Sequence, residues 1–219
     1  MGSENQLFIA HQGEYLKTSL WYREVIEDPY QIVAAAFDFT NVDDFRETIK
    51  TAILAACSDK IYRRASPADL MYDFKIIESV VNAAYLINLE KKKSSLVIEE
   101  KDLLNKELYR GRFSSQRDWD DFPRFVCEEE YVDPYLVFKR FFKYQRMTGW
   151  KQDMELILQH ALGKCNLFEM GIEIDVLSVF IHLTKLIEAA HLIDVREITC
   201  PWAKADGGNE KVVEFIDRH

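Results

Sequence analysis

Turn-forming residues are scarce in this chain, with 8 glycines and 5 prolines in 219 residues. A fold of many short strands needs such residues at each reversal. Here apolar residues instead recur at three- and four-residue spacing over long stretches, the period of an amphipathic helix. The expected fold class is all-α.

Helix-start chemistry marks where the elements should begin. A first helix is expected over 15–26, ending at Asp28-Pro29. Asp28 can cap the next helix and Pro29 can take its first position, where a missing N–H costs nothing. That short helix carries Ile32, Val33, Ala36 and Phe37. Asn41 caps a third, with Asp44 in its first turn and Phe45, Ile49, Ala52, Ile53 and Ala56 as its stripe. Ser66-Pro67-Ala68-Asp69 is the clearest start: a cap, a proline at the first position and an acid in the first turn. The helix it opens should reach Leu89. The charged stretch that follows reads as a linker, with one helix over 99–108. A second helical set is expected over 122–131, 134–144, 150–162 and 175–195, with Gly163 as a C-cap. The tail should close with a short helix carrying Val212, Val213, Phe215 and Ile216. The expected organisation is one helical unit at 14–90, a linker at 91–121, a second unit at 122–196 and a tail at 197–219.

The two units read as an internal duplication. Asp28-Pro29-Tyr30 recurs as Asp133-Pro134-Tyr135, an offset of 105. At that offset Phe37 falls on Phe142, Phe45 on Trp150, Arg46 on Lys151, Ile49 on Met154 and Ala56 on Ala161. At an offset of 106, Asp69 falls on Asp175, Phe74 on Phe180, Ile77 on Leu183 and Ala83-Ala84 on Ala189-Ala190. Three helices thus match in order, by start residues as well as core residues. The first helix matches less well, because Val25 falls on Glu130. Each unit would be a small bundle ending in a long apolar helix.

Charge and composition narrow the function. The formal net charge is −9. That repels phosphate backbones, so nucleic acid is disfavoured as a partner unless a local basic patch overrides it. No uninterrupted apolar run approaches the roughly 20 residues of a membrane span. The first ten residues lack a basic segment followed by an apolar core, so no secretory signal is expected. Cys57, Cys127, Cys165 and Cys200 are scattered, as reduced thiols in a cytoplasmic protein are.

Candidate chemistry is sparse. Glu188-x-x-His191 has the spacing of a half-site in a di-metal carboxylate bundle, but its counterpart, Asn82-x-x-Tyr85, cannot supply the second half. Its plain reading is an exposed Glu and a His at a helix end. His160 and Cys165 straddle Gly163 without a third orienting group. His182 and His191 lie on opposite helix faces. Phosphate-cradling and hydrolase motifs are absent. The acidic runs Asp118/Asp120/Asp121 and Glu128–Glu130 read as solvated faces. No catalytic residue, metal ligand or cofactor is assigned. Lys91, Lys92 and Lys93 end one long helix. Lys139, Arg140, Lys143 and Arg146 interleave with Phe138, Phe141, Phe142 and Tyr144, a pattern also found on nucleic-acid surfaces. Trp119 in the linker, Phe122 at the start of the second unit, and Trp202 in the tail are large aromatics in polar surroundings, which anchor either a partner or a neighbouring unit. The expected function is therefore a protein-interaction or regulatory module without catalysis, bound to no membrane. The first alternative is a nucleic-acid-associated regulator using Lys139, Arg140, Lys143 and Arg146. The second is a helical metalloenzyme using Glu188 and His191.

Overall fold

The computed structural model describes residues 28–94, 96, 98–112 and 118–199. The helix expected over 15–26, the tail helix, Cys200 and Trp202 lie outside them. Among the described residues there are eight α-helices and no strand: α1 (Pro29–Phe39), α2 (Val42–Ala56), α3 (Pro67–Leu89), α4 (Asp118–Asp121), α5 (Glu128–Val132), α6 (Tyr135–Tyr144), α7 (Met147–Leu162) and α8 (Val176–Ile193). A π-helical turn, Asp194–Thr199, extends α8.

The starts are set by the expected caps. Asp28 accepts the Tyr30 N–H at 2.9 Å, and Asn41 accepts that of Asp44 at 2.8 Å. Ser66 and Asp69 form a reciprocal capping box at 3.1 Å in each direction. Asp175 accepts the Ser178 N–H at 3.0 Å. These bonds satisfy backbone donors that the first turn leaves open. Gly163 is the C-cap of α7.

Two expectations are corrected. The linker holds two 3₁₀ turns, Glu100–Asp102 and Lys106–Leu108, in place of one helix over 99–108. Asn105 sits between them and accepts the Glu107 N–H at 3.2 Å, offering the backbone a local alternative to the helical ladder. Of the stretch expected as a helix over 122–131, only 128–131 is helical, as part of α5; residues 122–127, with Pro123 among them, are not helical.

Buried apolar residues of α1–α3 and α6–α8 belong to one continuous core. Within each half, α1 packs on α3 and α6 on α8. Between halves, α2 packs on α7, α2 on α8, α3 on α7 and α3 on α8. Two backbone bonds tie the halves reciprocally. The Tyr62 N–H donates to the Ala161 carbonyl and the Leu167 N–H to the Ala56 carbonyl, each at 2.9 Å. A smaller cluster of Leu108, Tyr109, Tyr131 and Leu192 docks the linker on the end of α8.

The segment Val176–Ile198 is long and apolar enough to cross a membrane, with a hydropathy of 1.6. Lys185 and Glu188 interrupt it, so it contains no unbroken apolar run of that length. Much of it faces other helices, and its Glu188, His191, Asp194 and Arg196 are buried.

Candidate functional site

Three places bring polar groups together, and the first is internal. Glu188 is fully buried, not exposed. Its carboxylate accepts backbone N–H groups from Arg124 (2.8 Å), Phe125 (2.8 Å) and Val126 (3.2 Å), and one oxygen lies 3.1 Å from Arg46 Nε. Burial raises its pKa; Arg46 and the three N–H groups oppose this. Arg46 also donates to the carbonyls of Asp120 and Phe122 at 3.0 and 3.2 Å. Glu188 and Arg46 thereby hold the non-helical chain between α4 and α5. His191 is buried one turn on. Its Nε2 donates to the Tyr109 carbonyl at 2.8 Å, while Nδ1 has no partner. Burial holds its pKa down at about 4. Arg196 Nε donates to the Leu108 carbonyl at 2.8 Å. Glu188 and His191 therefore grip different backbone segments. Among the described residues no three His, Cys, Asp or Glu side chains converge as metal ligands. His160 meets Cys165 through the Cys165 carbonyl, 2.8 Å from Nδ1, and not through the thiol.

The second place is the outer face of α6 and the start of the linker aromatics. Phe138 and Phe141 are fully buried, and Phe141 stacks on Trp150 at 3.9 Å. Of the rings that interleave with the basic residues, Phe138 and Phe141 thus serve the core, Phe142 is half-buried and Tyr144 is exposed. Arg140 is held by Glu129 at 2.6 Å and Glu130 at 2.7 Å. Burial raises the Glu130 pKa, but hydrogen bonds from Lys185, the Cys127 N–H and Arg140 outweigh it and bring the carboxyl down to about 2. Lys139, Lys143 and Arg146 are exposed. Phe122 packs edge-on against Tyr109 at 5.1 Å, within the small linker cluster. Trp119 stands 70% exposed with Phe122 against it at 5.5 Å.

The third place was not singled out in the sequence. A cavity of about 410 Å³ opens between the end of α3 and the start of α6. Lys91, Lys92 and Lys93 line it from one side and Lys139 from the other, with Ile87, Leu136 and the Tyr135 ring between them. Its one acidic lining residue, Asp133, accepts the Ser94 N–H at 3.2 Å. This use of Asp133 differs from that of Asp28, and α6 begins with no side-chain cap. Lys92 donates to Glu197 at 2.9 Å and lies over the rings of both Tyr30 (4.7 Å) and Tyr135 (5.5 Å). Tyr135 also donates to Glu197, at 2.7 Å, and Tyr30 donates to Glu90 at 3.1 Å. Burial, with Glu197 beside it, pushes the Tyr135 phenol far above its ordinary range. Lys91, Lys93 and Lys139 have no ion-pair partner among the described residues.

Both lysine groups are visible in the sequence, but their meeting is not. The available signal was the repeated Asp-Pro-Tyr, whose two tyrosines lie together under Lys92. Lys91 adds a conformational feature: it follows the α3 C-cap with φ 54°, the left-handed conformation for which glycine is the usual residue. Comparison with protein families, with characterised proteins and with solved structures gives no match, so the functional reading rests on these residues alone.

Proposed function

We propose that this chain is a non-catalytic binding module of regulatory type, which captures an anionic group in the cavity between α3 and α6. The observation that carries the reading is the meeting of Lys91, Lys92 and Lys93 with Lys139 around one concavity, in a chain of net charge −9. Pockets with apolar walls and a few convergent polar groups are the usual form of a ligand site, and they favour junctions between units.

The proposal includes the duplication: α1–α3 and α6–α8 as two copies of one unit, the cavity lying where one copy meets the other. Four pairs of contacts support it. Tyr62 and Leu167, which donate to Ala161 and Ala56, differ by 105, as do their two acceptors. Tyr30 and Tyr135 each donate to a glutamate just beyond the long helix of their own unit, Glu90 and Glu197. Arg46 and Lys151, also 105 apart, each pair with a glutamate on the other unit's long helix, Glu188 at 3.1 Å and Glu78 at 3.2 Å. The stacking of α1 on α3 has its counterpart in α6 on α8. The lysines break this symmetry, and a feature present in one copy only is a good candidate for function. The scattered cysteines fit a proposed cytoplasmic location.

Calorimetric titration at low salt tests the reading, with an Asp/Glu-rich peptide, inorganic pyrophosphate and a generic duplex DNA as probes. At least one should bind saturably, more weakly at high salt, and the Lys91→Ala/Lys93→Ala/Lys139→Ala variant should lose it. Failure of all three probes, or unchanged binding in the triple variant, overturns the reading. DNA binding that survives loss of Lys91 and Lys93 but not of Lys139, Lys143 and Arg146 would replace it with a nucleic-acid function.

A further inference from the structure

Resting on that reading, we infer that the ligand of this cavity is a small organic phosphate, its phosphoryl group held by Lys91, Lys93 and Lys139 and its organic body set against Ile87, Leu136 and the Tyr135 ring. Charge matching comes first. Lys92 is balanced by Glu197, and Asp133, though it accepts the Ser94 N–H, keeps its charge and offsets one further lysine, so four lysines and two carboxylates leave a net charge of +2 at the opening. Three ammonium groups remain around one opening, each a compact point charge with three donors. One carboxylate would neutralise a single lysine. A phosphoryl group carries up to two charges on three strong acceptor oxygens, enough to take all three donors.

Helix electrostatics alone would explain Lys91, Lys92 and Lys93, because cations favour the C-terminal end of a helix. They do not explain Lys139. It lies in the middle of α6, outside the terminal turns in which the dipole acts.

Lys91 supplies an independent observation. A left-handed residue after a helix end is favoured as glycine, because any Cβ is crowded there. A lysine held in that conformation at the rim of the cavity points to a side chain retained for what it binds. Size completes the match. At about 410 Å³ the cavity is in the range of small-molecule pockets, and its apolar wall suits an organic body rather than a free ion.

Calorimetry and thermal melts on the full chain test the inference. The probes are glucose 6-phosphate and AMP, with glucose, adenosine, inorganic phosphate and the acidic peptide beside them. At least one organic phosphate should bind about tenfold or more tighter than both its unphosphorylated parent and inorganic phosphate, the difference one charged contact makes. Lys91→Gly should raise the melting temperature of the free protein and weaken that binding by about tenfold. Lys139→Ala should weaken it similarly, and Lys101→Ala, outside the cavity, should leave it unchanged. Equal binding of parent and phosphate, equal binding of inorganic phosphate, or full affinity in Lys91→Gly and Lys139→Ala overturns the inference. Binding of the acidic peptide without the phosphates overturns it while leaving the anion-binding reading intact. If no anion binds, both fall.

Discussion

His191 concentrates the polar chemistry of the interior into one ring. The Tyr109 carbonyl accepts from Nε2, so the neutral ring carries its proton there, and the unpartnered Nδ1 is where a second would go. Burial disfavours that proton most, and Arg46 and Arg196 disfavour it further. The folded ring therefore titrates at about 4, while an unfolded histidine titrates near 6.5. As pH falls, the unfolded chain takes up the proton first. Stability is full above about pH 6.5, falls between there and about 4, and loses about 3 kcal/mol in all. His182, lowered by burial and Lys185, adds to the same slope. The carboxylate of Glu130 acts only below about 4.5, since its folded pKa is about 2. His191→Gln should flatten the dependence of urea midpoints on pH between 6.5 and 4.5, leaving the His182 part and the opposing part of Glu188, Asp73 and Asp153, whose folded pKa values burial raises; the same slope in both proteins would refute the assignment. Packing against the ring is also tight. A Cβ on Gly111 would stand 2.8 Å from His191 Cε1, so Gly111→Ala should destabilise the linker dock. The Glu-x-x-His spacing was legible in the sequence, but its use was not. Spacing fixes which face a residue takes, and only tertiary packing decides which backbone it meets.

At the scale of elements, capped and uncapped segments behaved differently. Helices opened by Asp28-Pro29, Asn41, Ser66-Pro67 and Asp175 were legible because start signal and apolar period agree. Ser66→Ala should cost about 1 kcal/mol, measured by chemical unfolding, because it opens the capping box of α3; an unchanged midpoint would remove the cap from the account. The region between α4 and α5 is held differently. Residues 124–126 depend on a carboxylate from α8, distant in sequence. Local periodicity carries no trace of such a hold, so a helix over 122–131 was expected where the chain is broken. Glu188→Gln keeps the shape but removes the charge facing Arg46, leaving a buried guanidinium with a weaker set of partners. That substitution should cost about 3 kcal/mol and raise hydrogen exchange at Arg124, Phe125 and Val126. Faster exchange elsewhere, with these three unchanged, would show that Glu188 does not hold the segment. Asp133 illustrates the same limit. It repeats Asp28 in sequence, but it is the C-cap of α5, its N–H donating to the Glu129 carbonyl, while its side chain turns to Ser94.

In the molecule as a whole, α2 packs on α7 and backbone bonds pass between the halves, while the candidate cavity lies where α3 meets α6. The ingredients of the cavity were visible as two basic clusters in sequence. Their union was not, because it follows from how α3 of one half crosses α6 of the other, and no local pattern encodes that crossing. The core is continuous across the halves, and continuity has a thermodynamic consequence: the long helix of each half is buried partly by helices of the other. Ile49 of α2 is 1% exposed and Trp150 of α7 is fully buried in the same core. Removing the Ile49 side chain beyond Cβ should cost about 2–5 kcal/mol. If the halves share one transition, that loss must be felt at Trp150 in full. In a chain whose other tryptophans (Trp21, Trp119 and Trp202) are replaced by Phe, Ile49→Ala should shift the fluorescence midpoint of Trp150 and the far-ultraviolet circular dichroism midpoint together. A Trp150 transition that stays in place while the dichroism splits in two would mean that the halves unfold as independent domains, and the exchanged contacts would then be incidental to stability.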